Sequence, residues 1–103
     1  MSLTPEQIAY AAELFAPLGG EITTRKMMGA LAIYHDGVIF AALDGEGRVY
    51  LKAKGAFAQD MAAEGATPFE TARGTMGYWT LPDAALDDPD LACDWARRAL
   101  AAL

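Results

Sequence analysis

Apolar residues recur at helical spacing near the start of the chain: Ile8, Ala11, Ala12, Leu14, Phe15 and Leu18 fall on one side, with Glu6 and Glu13 opposite. Thr4 is placed to cap this helix, Pro5 suits its first turn, and Gln7 completes a capping-box spacing. Pro17 and Gly19-Gly20 end it. From Ile22 to Ala53 the pattern changes to that of strands. Asp36-Gly37 predicts a two-residue hairpin, because a type I′ turn needs positive φ at both central positions. That turn sets a register in which His35 faces Val38, Ile33 faces Phe40 and Leu31 faces Ala42. Asp44-Gly45-Glu46-Gly47, read as a four-residue loop, then pairs Phe40 with Leu51 and Ala42 with Val49. A short helix over 56–64 follows, with Phe57 and Met61 one turn apart and Gly65 as its stop. "TPFETA" and "MGYWTL" read as two strands joined at Arg73-Gly74-Thr75. In the last helix Asp88 caps, Pro89 fits the first position, and Leu91, Ala92, Trp95, Ala99 and Leu103 form the apolar stripe. Asp94 and Arg98 make a favourable i,i+4 pair on that helix.

The element order is thus α-β-β-β-α-β-β-α. It predicts a two-layer α+β domain with an antiparallel five-stranded sheet and helices packed mainly on one face. The register assigns Leu31, Ile33, Val38, Phe40, Ala42, Val49 and Leu51 to the core. The second face then carries Ala30, Ala32, Tyr34, Ile39, Ala41, Leu43 and Tyr50, with Lys26, Arg48 and Lys52 as its charges. A solvated sheet face normally alternates to polar residues, and this one does not. An apolar patch edged by charge predicts a partner surface, most economically a second copy of the chain, so a homodimer or a protein partner is expected. Cover by a helix or loop is the alternative.

Composition narrows the chemistry. The 103 residues fit one domain, and 53% hydrophobic against 21% charged residues fit a globular protein and argue against disorder. Net charge is −6, which sets general affinity for nucleic acid at a disadvantage. No apolar run is long enough for a membrane span, and MSLTPEQ lacks the regions of a signal peptide, so a cytoplasmic protein is expected. With one cysteine and one histidine there is no internal disulfide and no Cys/His zinc cluster. His35 beside a hairpin turn reads as a solvent-exposed pairing residue, and Cys93 beside Asp94 as a buried, inert thiol. The carboxylates gather at helix starts and turns, without the spacing of a metal or glycosidase site. No catalytic residue, cofactor or metal is expected. Six basic and six acidic residues lie in 22–82, whereas 83–103 hold two basic and five acidic, so cations concentrate in the sheet half. Together with Tyr34 and Tyr50, Lys26, Arg48 and Lys52 on the second face could hold a single strand or an acidic ligand; solubilising an interface rim is the plainer reading.

"RKMMGALAIY", followed by "DGVIFA", "VYLK" and later "MGYWTLP", resembles the TfoX N-terminal domain family, associated with regulators of competence-specific genes and DNA transformation. The likeness runs nearly end to end and identifies 1–103 as a single TfoX N-terminal-like domain. It departs at Met28, Gly29 and Ala30, where the family commonly has Phe and a glycine pair, and at Ala32, near which a further glycine is usual. The resemblance implies a secretion-chaperone-like α+β fold and no enzyme. The function expected is a non-enzymatic interaction and regulatory domain working through protein–protein contacts. A nucleic-acid-linked regulator using Lys26, Arg48 and Lys52 is the alternative. A small-molecule domain, with a pocket near Arg25, Tyr34 and Trp79, is a further one.

Overall fold

The computed structural model describes residues 4–27, 30–71 and 74–103. In chain order the elements are α1 (Pro5–Phe15), β1 (Ile22–Met27), β2 (Ala30–His35), β3 (Val38–Leu43), β4 (Val49–Lys52), α2 (Ala56–Ala63), β5 (Pro68–Thr71), β6 (Gly74–Thr80) and α3 (Pro89–Ala101), with 3-10 turns at Ala16–Leu18 and Asp83–Ala85. The six strands form one antiparallel sheet in the order β1-β2-β3-β4-β6-β5. The expectation of five strands is corrected here. The stretch before the Asp36-Gly37 turn is two strands, because Ile22–Met27 and Ala30–His35 pair with each other antiparallel, Met27 being the register partner of Ala30. Residues 28 and 29, part of the motif read as a departure from the family, lie outside the described residues. β1 escaped the pattern because it is an edge strand: Thr23, Thr24, Arg25 and Lys26 are all exposed, so it lacks the alternation that marks a half-buried strand.

Local chemistry explains the helix ends. Thr4 Oγ1 accepts the Gln7 N–H at 3.2 Å while Gln7 Oε1 accepts the Thr4 N–H at 3.0 Å, a complete capping box. Asp88 accepts the Leu91 N–H at 3.2 Å ahead of Pro89. α3 presents Ala92, Cys93, Ala96 and Ala99 inward, all fully buried, and these small side chains let it sit close on β3 and β4. The expected stripe is therefore shifted: Leu91 and Trp95 flank the contact, and Leu103, past the helix end, is 46% exposed. The expected Asp94–Arg98 pair is not formed. Asp94 pairs with Arg97 at 3.0 Å, and Arg98 reaches Asp60 on α2 while lying over the Trp95 and Phe57 rings at 4.9 and 5.2 Å.

All three helices cover one face of the sheet. Phe15 and Leu14 from α1, Phe57 and Met61 from α2 and the α3 alanines close over Leu31, Ile33, Phe40, Ala41, Leu43, Val49 and Leu51 in one core. Two irregularities decide which residues reach it. The Asp36-Gly37 turn is as predicted, with φ of 49° and 85° and His35 opposite Val38. Beyond it, Tyr34 faces Ile39 but Ile33 faces Ala41, so Phe40 is an extra residue, a β-bulge. The bulge keeps Phe40 inward, edge-on to Phe15 with ring centres 5.1 Å apart, and reverses the alternation after it. The next reversal is a three-residue loop closed by the Asp44 N–H on the Arg48 carbonyl at 3.0 Å, with Gly47 at φ 87°. Ala41 thus pairs with Leu51, Ala42 with Tyr50 and Leu43 with Val49. Ala41 and Leu43, expected on the second face, are core residues, and Ala42, expected in the core, faces outward. Val38, also expected in the core, is 49% exposed at the sheet's end.

Candidate functional site

No described helix covers the other face of the sheet. Its rows follow from the register: Thr23 beside Tyr34 beside Ile39, Arg25 beside Ala32 beside Ala42 beside Tyr50, and Lys52 beside Tyr78. Phe69 joins from β5, edge-on to Tyr50 with ring centres 5.0 Å apart. Ala32 and Ala42 make a low floor, so the taller Tyr34, Ile39 and Tyr78 stand over it as a shallow, half-buried relief, while Tyr50 is buried. Lys26, expected on this face, lies opposite Leu31 and so on the helix side of the edge strand. Arg48 sits at the end of the sheet beside Tyr50. Tyr34, Ile39, Tyr50 and Lys52 lie on the open face. Sequence reasoning did not assign Arg25, Ala42, Phe69 and Tyr78 to it. Arg25 and Ala42 each sit one residue from the expected parity, and Tyr78 needed the pairing of β4 with β6, which no local signal gives.

The electrostatics of this face differ from those of the whole chain. Arg25, Arg48 and Lys52 are its cations. The Asp44 carboxylate lies beside Tyr50, and its oxygens are engaged. Oδ1 accepts the N–H groups of Glu46 and Arg48 at 2.9 Å each, and Oδ2 accepts the Tyr50 hydroxyl at 3.2 Å. Burial, then the Asp44 charge, pushes the Tyr50 phenol up from its ordinary value, against a smaller opposing pull from Arg48. Burial first, and then the nearby Tyr34, raises Tyr78 as well. Both phenols hold their protons and present hydroxyls, not phenolates. The helices carry the acid instead, with Glu6 and Glu13 on α1, Asp60 on α2 and Asp90 and Asp94 on α3.

The remaining candidates do not assemble into a reactive centre. His35 is half-buried between Ile22 and Val38, 3.8 Å from Asp36. The Asp36 carboxylate itself accepts the Glu21 N–H at 2.7 Å, and its backbone N–H donates to the Glu21 carbonyl at 2.8 Å, which pins the start of β1 to the hairpin. Cys93 is fully buried with its thiol 3.6 Å from the Leu14 carbonyl, and burial pushes its pKa up. Trp79 faces the helix side opposite Leu51, so Arg25, Tyr34 and Trp79 do not converge on a pocket. A cleft of about 460 Å³ opens elsewhere, at the sheet's end, between Tyr10, Arg48, Thr67, Thr80 and Asp83. Tyr10 is turned away from reaction there, its hydroxyl donating to the Leu86 carbonyl. Among the described residues no group of three His, Cys, Asp or Glu side chains could hold a metal ion, and no helix is long and apolar enough to cross a membrane.

The family model of the TfoX N-terminal domain matches residues 13–103. The chain belongs to that family. No curated protein matches it. As a TfoX N-terminal domain it is a regulatory and interaction domain, not an enzyme. The matched span runs from the last turn of α1 to just past the end of α3, so it takes in every strand of the sheet and the whole open face.

Proposed function

We propose that this TfoX N-terminal domain is a cytoplasmic regulatory module that acts by docking a protein partner with an acidic surface on its open sheet face. The observation that carries the reading is the contrast on that face: half-buried Tyr34, Ile39 and Tyr78 beside the cations Arg25 and Lys52, with the Asp44 carboxylate next to Tyr50 already bonded. Large apolar and aromatic side chains left without a covering layer favour a macromolecular partner over water. The sequence made a second copy the most economical occupant. Charge favours a different one, because stacking the face on its own copy brings the same cations together. The setting that the family resemblance implies is the regulation of competence and DNA transformation. The test is quantitative capture of partners from the native host, comparing the wild type with Lys52→Glu and Val38→Glu. Loss with Lys52→Glu and retention with Val38→Glu, which lies off the face, is the expected result; equal recovery by all three contradicts it.

One observation favours a second reading. Arg25 and Lys52 interleave with Tyr34 and Tyr78, a combination that can hold a single-stranded nucleic acid. Against it stand the net charge of −6 and the Tyr50 ring, already packed by Phe69. Binding of an oligonucleotide that weakens steeply between low and high salt, and is lost in Lys52→Glu, would select this reading over a protein partner.

A further inference from the structure

The two edges of the sheet are not alike. β5 begins at Pro68 and breaks register between Pro68 and Glu70, both of which blunt an edge against pairing. β1 has no proline, and its register with β2 runs without a shift from Ile22 to Met27. Among the described residues nothing pairs with its outer side. Thr23, Thr24, Arg25 and Lys26 are exposed although they point alternately to the two faces of the sheet, so neither layer overhangs this edge.

The direction of its free backbone groups follows from one bond. The Asp36 N–H donates to the Glu21 carbonyl, so the residue just before β1 turns its polar groups inward, toward β2. Alternation then turns Thr23 and Arg25 inward, and leaves the N–H and C=O of Ile22, Thr24 and Lys26 pointing out. We infer that β1 pairs antiparallel with β1 of a second copy about a two-fold axis at Thr24, joining the two sheets edge to edge. In an antiparallel pair facing residues share a face, which restricts the two-fold to a residue rather than a gap between residues. A centre at Arg25 would oppose Arg25 to itself. A centre at Thr24 sets Thr24 against Thr24, Thr23 against Arg25 and Ile22 against Lys26. No like charges then meet, and a Thr–Thr pair sits on the axis. In this register each outward-pointing residue faces an outward-pointing partner, so every free group from Ile22 to Lys26 finds its hydrogen bond. The arrangement puts both helix layers on one side and leaves both open faces on the other. It is independent of the open-face reading.

The test exploits the outward N–H of Thr24. Proline there removes no bond within the chain's own sheet, because that N–H does not point to β2. Light scattering behind a sizing column is run on the wild type, Thr24→Pro and Ile39→Glu, with circular dichroism as the check on folding. The expected result is a wild-type dimer of twice the 11.0 kDa chain, a folded Thr24→Pro monomer and an Ile39→Glu dimer. A wild-type monomer at about 100 µM, a concentration between the micromolar and millimolar dissociation constants of weak complexes, overturns the inference. So does a Thr24→Pro dimer, whether or not Ile39→Glu is monomeric. Should Thr24→Pro fail to fold, Thr24→Cys decides. A hydrogen-bonded pair has Cα atoms about 5.5 Å apart, within disulfide reach. Thr24→Cys is therefore expected to cross-link under a mild disulfide oxidant, while Lys26→Cys, facing Ile22 of the other copy, is not. Absence of the Thr24→Cys cross-link, or equal cross-linking of both, overturns the edge pairing. Cys93 is fully buried and does not compete.

Discussion

The helix-covered face and the open face of the sheet are made from alternate residues of the same strands, yet they carry different tasks. On the covered side Leu31, Ile33, Phe40, Leu43 and Leu51 are at most 1% exposed and meet all three helices. On the open side Tyr34, Ile39 and Tyr78 keep part of their surface in contact with solvent, and cations stand among them. The switch between the two depends on one inserted residue, Phe40, which sends Ala41 and Leu43 inward and turns Ala42 out. Stability resides on the first face. The second is free to be chosen for what it binds.

That comparison breaks most visibly at the bulge. Phe40→Ala deletes a fully buried ring packed on Phe15 and is expected to lower the unfolding free energy by about 3–5 kcal/mol, read from a urea titration. A loss below about 1 kcal/mol would mean that the core closes without it. Enlarging the α3 contact is the next largest effect. Ala96→Leu pushes a branched side chain into a fully buried position and is expected to cost about 1–3 kcal/mol in the same titration.

Alkaline pH separates the groups by burial. The folded chain raises Cys93 above its ordinary 9.0 and Tyr10, Tyr50 and Tyr78 above 10.0, with burial the largest cause in each case. The unfolded chain therefore releases these protons first. Their contribution is complete below 9.0 for the thiol and 10.0 for the phenols, and is lost as pH rises through the raised folded values. Urea midpoints are expected to decline above those pH values, with the earliest part of the decline reduced in Cys93→Ala. The smallest effect belongs to Arg98→Ala. Its pair with Asp60 and its place over Trp95 are half exposed, so a loss of no more than about 1 kcal/mol is expected, and less at high salt.

Much of this fold was legible because its signals are local. The Thr4 capping box, the Asp88-Pro89 start of α3 and the Asp36-Gly37 turn each act within a few residues, and each stands where the chain's own chemistry puts it. β1 was not legible as a separate strand, since an edge flanked by solvent on both faces has no hydrophobic period to read. The faces were half legible. Tyr34 and Ile39, before the bulge, keep the parity that the turn sets, whereas Ala41 and Leu43, beyond it, reverse. Nothing in "VIFAAL" announces an extra residue. It is fixed by Phe40 seeking Phe15, a contact between elements far apart in sequence. The charge asymmetry was legible in outline, with Lys26 and Arg25 exchanged by the same kind of parity error.

The division of labour between the faces is tested most directly with Ile39→Glu, in one experiment with two readouts: unfolding free energy by urea titration, and recovery of bound partners by quantitative capture from the native host. The account predicts a stability within about 1 kcal/mol of wild type, because Ile39 lies outside the core, together with loss of the partners that the wild type recovers. Unchanged partner recovery, or a loss of stability as large as that of Phe40→Ala, would contradict it.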